Sequence, residues 1–87
     1  MNITPPIIHL NGTSALNLLS DYAAADDAFF KFVDAWGQIQ FNARDYYPKG
    51  PEYFEAARDH REEISRRIAE IREYLTAHLI AISDQRK

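Results

Sequence analysis

Two short stretches of this chain carry side chains suited to gripping an anion, and they stand far apart in the sequence. The first is the connector Asn42-Ala43-Arg44-Asp45-Tyr46-Tyr47-Pro48-Lys49-Gly50, longer and richer in functional groups than a chain reversal needs. A guanidinium, a carboxylate, an ammonium and two phenols cost entropy to order unless they contact something. Arg44 offers a planar fork to a phosphate or carboxylate, with the Lys49 ammonium on the same loop. Asp45 can accept from a base edge or ribose, and Tyr46 or Tyr47 can stack on a base. The second stretch is Asn11-Gly12-Thr13-Ser14, a glycine-containing turn that runs into a helix start and presents free N–H groups and hydroxyls to phosphate or carboxylate.

Each stretch also has a plain structural reading. Thr13 or Ser14 serves equally as a helix N-cap. Tyr46 and Tyr47, expected to be extended before Pro48, could pack on Trp36, Phe41, Tyr53 or Phe54 and plug the end of a helical bundle. Arg61 breaks the apolar seam of the second helical pattern. Its stem can lie on apolar surface with the head in water or on Asp26, Asp27 or Asp34, or the charge can fix register or hold a ligand. His78 breaks the same seam and reads as a structural histidine bonded near His9 or to a backbone carbonyl, while His60 flanks the seam and faces solvent.

Other chemistry finds less support. No two of His9, His60 and His78 are spaced as i,i+3 or i,i+4, so no metal site is expected, and the chain has no cysteine for a thiolate or disulfide. The runs Asp26-Asp27 and Glu62-Glu63 point their acids in different directions on a helix and read as wetted faces. Ser14 with His9 or His78 and an aspartate lacks a strained nucleophile turn or an oxyanion nest. The expectation is a protein that is not an enzyme and uses no cofactor.

The elements that must position these groups are two long helices. Leu18, Tyr22, Ala25, Phe29, Phe32, Trp36 and Ile39 alternate spacings of four and three, and Leu19, Ala23, Phe30 and Val33 add a second stripe beside them. That apolar face is wider than one neighbouring helix covers. Phe54, Ala57, Arg61, Ile64, Ile68, Ile71, Leu75, His78 and Ile82 carry the same alternation after Gly50-Pro51-Glu52, a helix-opening signal. The outer face offers i,i+4 pairs at Glu62 and Arg66, Glu63 and Arg67, and Arg66 and Glu70.

The fold class expected is all-α: an antiparallel two-helix hairpin over residues 14–87, with helices at about 14–42 and 51–83, and an extended segment over 1–13. Trp36 and Ile39 should then lie near Phe54 and Ala57, Phe29 and Phe32 near Arg61 and Ile64, and Leu18 near Leu75. Pro5 and Pro6 keep the leading segment extended so that Ile7, Ile8 and Leu10 cover the far end around Leu75, Leu79 and Ile82. The Ser83–Lys87 tail is expected to fray. At 87 residues the core of a single copy is marginal, so a homo-oligomer, a dimer or higher, is expected to assemble as a helical bundle.

A formal net charge of -3 argues against a coat for DNA or RNA, and the apolar runs are too short for a signal peptide or a membrane span. A cytoplasmic protein is expected. The two turns lie at opposite ends of a hairpin, so a shared ligand would need the loop of one copy beside the helix start of another.

The residues His9-Leu10-Asn11-Gly12-Thr13-Ser14, together with Asn42-x-Arg44-Asp45-Tyr46-Tyr47-Pro48-x-Gly50-Pro51, resemble the signature of a group of short helical proteins of bacteriophages and prophages. The resemblance implies a phage or prophage context, hence the cytoplasm of a bacterial host, and gives weight to the two turns. Many such phage hairpins act against host defence, some as oligomeric sponges for nucleotide-derived signals. Two functions follow as expectations. One is an oligomeric binding protein that holds a small anionic nucleotide through Asn11, Thr13, Ser14, Arg44, Asp45, Tyr46, Tyr47, Lys49 and Arg61. The other is a protein-interaction or scaffold module with no small-molecule ligand.

Overall fold

The computed structural model describes residues 1–86; Lys87, the end of the tail expected to fray, lies outside the described residues. The chain is a helical hairpin led by an extended segment, and the described residues contain no strand. Helix α1 spans Ala15–Gln38 and helix α2 spans Pro51–Asp84. The molecule is a rod of 61 × 23 × 19 Å.

Local chemistry sets the ends of both helices. Ser14 accepts a 3.1 Å hydrogen bond from the Asn17 N–H, the N-cap that a hydroxyl at this position makes. Gly50 adopts φ 100, a left-handed conformation that favours glycine, and Pro51 follows at the first helical position, where its missing N–H is not needed.

Helix α1 stops at Gln38, short of the Asn42 expected from the apolar pattern. Gly37 lowers helix propensity in the last turn, and Ile39 leaves the helix at φ -64 ψ 123, its N–H bonded back to the Trp36 carbonyl at 3.2 Å. Asn42 is again extended, and two consecutive 3₁₀ turns, Ala43–Asp45 and Tyr47–Lys49, complete the connector. Tyr46 and Tyr47 are therefore not the extended pair expected before Pro48. Tyr46 is the pivot between the turns and Tyr47 opens the second.

This early stop also moves the register. Extended residues advance roughly 3.3 Å each against ~1.5 Å in a helix, so the stretch after Gln38 carries the chain further before it turns back. As a result Trp36 meets Arg61, and Tyr22 stacks on His78, further along α2 than the Leu18 to Leu75 alignment expected. Leu19 shares a surface groove with Leu79, Ile80 and Ser83.

The leading segment runs alongside the last third of α2. The Met1 ammonium meets Glu73 at 3.2 Å, and Gln85 donates to the Pro6 carbonyl and accepts from the Ile8 N–H, both at 2.9 Å. The tail is thus held rather than frayed up to Gln85, with Ser83 and Asp84 still helical. Ile8 is half-buried, whereas Ile7 and Leu10 remain exposed instead of covering the hairpin end as expected. Of the outer-face pairs, Glu63 and Arg67 close at 2.8 Å; Asp27 on α1 pairs with Lys31 at 3.3 Å.

Burial is thin. Among the described residues Ile82 is the only fully buried apolar side chain and His78 the only buried polar one, both at the end where α1, α2 and the leading segment converge. The accessible surface is 6688 Å², against about 5,300 Å² for a compact monomer of 10.1 kDa. The radius of gyration is 18.6 Å, against about 12 Å for a compact chain of this length.

If Ile82 anchors the one closed part of the core, Ile82→Ala should lower stability by about 2–5 kcal/mol and Ile82→Val by about 0.5–1.5 kcal/mol in chemical denaturation. Equal and negligible losses in both variants would contradict that placement.

Candidate functional site

The connector end of the hairpin is built around Phe41. Its ring lies 5.3 Å from Tyr46 and 5.5 Å from Phe54, and Tyr46 lies 6.0 Å from Tyr53 and 6.1 Å from Phe54. Tyr46 is thus a packed plug, while Tyr47 points away with 61% of its surface exposed. Of the two tyrosines weighed for stacking on a ligand, Tyr47 is the free ring. The Lys49 ammonium sits 5.1 Å above Tyr53. Arg44 and Asp45 are exposed on the first 3₁₀ turn.

Arg61 joins this cluster from α2. Its guanidinium lies 4.7 Å from the Trp36 ring and 5.1 Å from Phe41, a flat cation held on two aromatic faces rather than on the α1 carboxylates considered for it. A guanidinium over aromatic rings can still turn its edge N–H donors to a phosphate or carboxylate.

On one side of Arg61 a groove of about 490 Å³ is lined by Phe41, Arg58, Arg61, Glu62, Ser65 and Arg66. Three guanidiniums against one carboxylate make it locally cationic in a chain of net charge -3. Arg58 is hydrogen-bonded to Asp59 at 3.2 Å, and Arg66 is exposed. On the other side a second recess is lined by Trp36, Ile39, Gln40, Phe41, Tyr46, Ala57, His60, Arg61 and Ile64. Arg61 and Phe41 therefore line both recesses, the second of mixed aromatic, aliphatic and polar lining.

Sequence reasoning picked out Arg61 as a break in the seam but missed Arg58, Ser65 and Arg66. Their spacing with Arg61 and Glu62, i, i+3, i+4, i+7 and i+8, already puts them on one face of α2, and Phe41 completes the groove.

The helix-start turn lies at the far end of the rod. Asn11, Thr13 and Ser14 are exposed there, and the chain does not bring them to Arg44, Asp45, Tyr46, Tyr47, Lys49 or Arg61. Part of the turn's donor set is already engaged: the Gly12 N–H bonds the His9 carbonyl at 3.2 Å, and the Asn17 N–H bonds Ser14. The His9 ring lies over Gly12, where a Cβ would come within 2.8 Å of Nε2, the end of an exposed side chain that can swing aside.

A third cluster surrounds His78. Its ring is stacked on Tyr22 at 4.9 Å and 11°, and Tyr74 lies tilted against it at 4.2 Å. Nδ1 lies 2.9 Å from the Tyr74 carbonyl, so that nitrogen carries the proton and donates. The bond to a backbone carbonyl is the structural role anticipated for this residue, with His9 elsewhere. Burial pushes the Tyr22 phenol above its ordinary value, and Tyr74 beside it adds to the shift. Among the described residues no three His, Asp or Glu side chains gather as metal ligands, and no helix is long and apolar enough to cross a membrane.

A raised folded-state value for Tyr22 favours the neutral phenol. Its contribution is fully present below the free value of 10.0 and is lost as pH climbs through the higher folded value. Stability should therefore fall on the alkaline side, less steeply in Tyr22→Phe, as read by denaturation at several pH values. Identical slopes would contradict it. At the other end, Arg61→Ala should alter the emission of Trp36, the chain's single tryptophan, with Arg61→Lys failing to restore it. Superimposable spectra would remove the stacked geometry.

Compared with known proteins, the chain matches no family model, and no similar protein was found among curated proteins or solved structures.

Proposed function

We propose that this chain is a non-enzymatic, self-associating protein that binds a small anion of the nucleotide class at the Phe41 end of the hairpin. The observation that carries this reading is Arg61, stacked on Trp36 and Phe41 above a groove that Arg58 and Arg66 also line. Guanidinium edges suit phosphate oxygens, and the neighbouring recess, with Trp36, Phe41 and Tyr46 in its lining, suits a flat base. Exposed Tyr47, Arg44, Asp45 and Lys49 stand at the same end and can close over such a ligand.

The surface excess over a compact monomer supports self-association, since a second copy would remove apolar area that one hairpin leaves in water. The resemblance of the two turns to phage and prophage proteins suits sequestration of a nucleotide-derived immune signal inside a bacterial host. A scaffold role is favoured by a different observation, the exposure of Tyr47 on the connector and of Tyr53 in the first turn of α2.

Calorimetry against cyclic dinucleotides, cyclic trinucleotides and ADP-ribose derivatives separates the two. The binding reading expects at least one ligand to bind, a tenfold or greater loss in Arg61→Ala, and weaker affinity at high salt. Silence across the panel would favour the scaffold.

A further inference from the structure

The proposed self-association leaves open which surface meets which, and the apolar pattern of α1 answers it. Leu16 and Phe30 are 64% and 56% exposed, and each stands seven residues from Ala23, also exposed. Seven residues are two helical turns, so the three share one flank. The order large, small, large is symmetric about Ala23. An antiparallel copy of α1 crossing there would set Leu16 of each copy on Phe30 of the other, with the two Ala23 methyls meeting at close approach.

We infer that α1 pairs with α1 of a second copy in an antiparallel two-fold interface centred on Ala23. Two observations point to a second copy rather than an unrelated partner, and the exposed area has room for one. The pattern is its own complement, as an isologous contact requires. Asp21, Asp26 and Asp27 fall opposite Ala25, Ser20 and Leu19, and Asp34 lies beyond the start of the partner's α1, so no two carboxylates stand directly opposed. The chain exposes roughly 1,400 Å² more than a compact monomer of its mass, enough to supply the ~800 Å² per partner of a standard interface.

The pairing also refines the binding reading on which it rests. Ser14 of one copy falls opposite Phe32 of its partner, about one turn from Trp36 and well short of the Arg44 to Lys49 loop. The helix start therefore approaches the Trp36 and Arg61 end of the neighbouring hairpin, and any composite site forms there.

The cysteine-free chain allows a direct test. Ala23→Cys should form a disulfide-linked dimer under mild oxidation, whereas Ala28→Cys, exposed on the opposite side of α1, should not. Mixing Leu16→Cys with Phe30→Cys should give the mixed disulfide in excess over either homodimer. Light scattering on the reduced proteins supplies the reference. A dimer that links through Ala28→Cys, or through neither position, would overturn this interface while leaving self-association standing. A monomer at micromolar concentration would overturn both. Dimerisation as described with silence in calorimetry would uphold the interface and remove the nucleotide ligand.

Discussion

Two helices and one extended strap cannot enclose the apolar faces this sequence gives them. Helix α1 carries apolar residues around more than half of its girth and buries none of them fully; α2 closes over Ile82 and His78 only where the leading segment joins in. Three layers meet at that end, and two meet everywhere else. Hydrophobic burial is the main favourable term in folding and scales with the area removed from water, so a rod of this shape gains little from its own contacts. The proposed pairing through Ala23 supplies the third layer along the rest of α1.

The same shortage explains why aromatic and charged groups are combined at the two ends of the rod. A guanidinium on Trp36 and Phe41, and an imidazole between Tyr22 and Tyr74, occupy seam positions where aliphatic side chains would be expected. Both are flat groups that cover aromatic faces, His78 with Nδ1 on a carbonyl and Arg61 lining the groove. At the His78 end the result is a closed structural joint. At the Arg61 end the groove stays open beside the guanidinium, which is where the proposed ligand would sit.

Much of this was legible in the residues alone. The three-four alternation gave two helices, Gly50-Pro51 fixed the start of the second, and Ser14 acts as the cap its type implied. The end of α1 was not legible, because Ile39 and Phe41 continue the apolar rhythm while the backbone has already left the helix. That small error displaced the pairings further from the connector, while Trp36 and Ile39 still share a recess with Ala57 as expected. The stack of Tyr22 on His78 and the seat of Arg61 on Trp36 both depend on register, which side-chain periodicity constrains only to within whole turns. Gln85 was equally hidden: a polar residue in a terminal tail gives no sign that it will bind the backbone of Pro6 and Ile8 from the other end of the chain.

The central claim is that folding of this hairpin is completed by a second copy, and the dependence of its melting temperature on protein concentration tests that most directly. Coupled folding and association makes the midpoint rise steadily as the protein is concentrated over two or three decades. A midpoint that stays fixed across that range, with a single cooperative transition throughout, would show that one copy folds alone and would contradict the account.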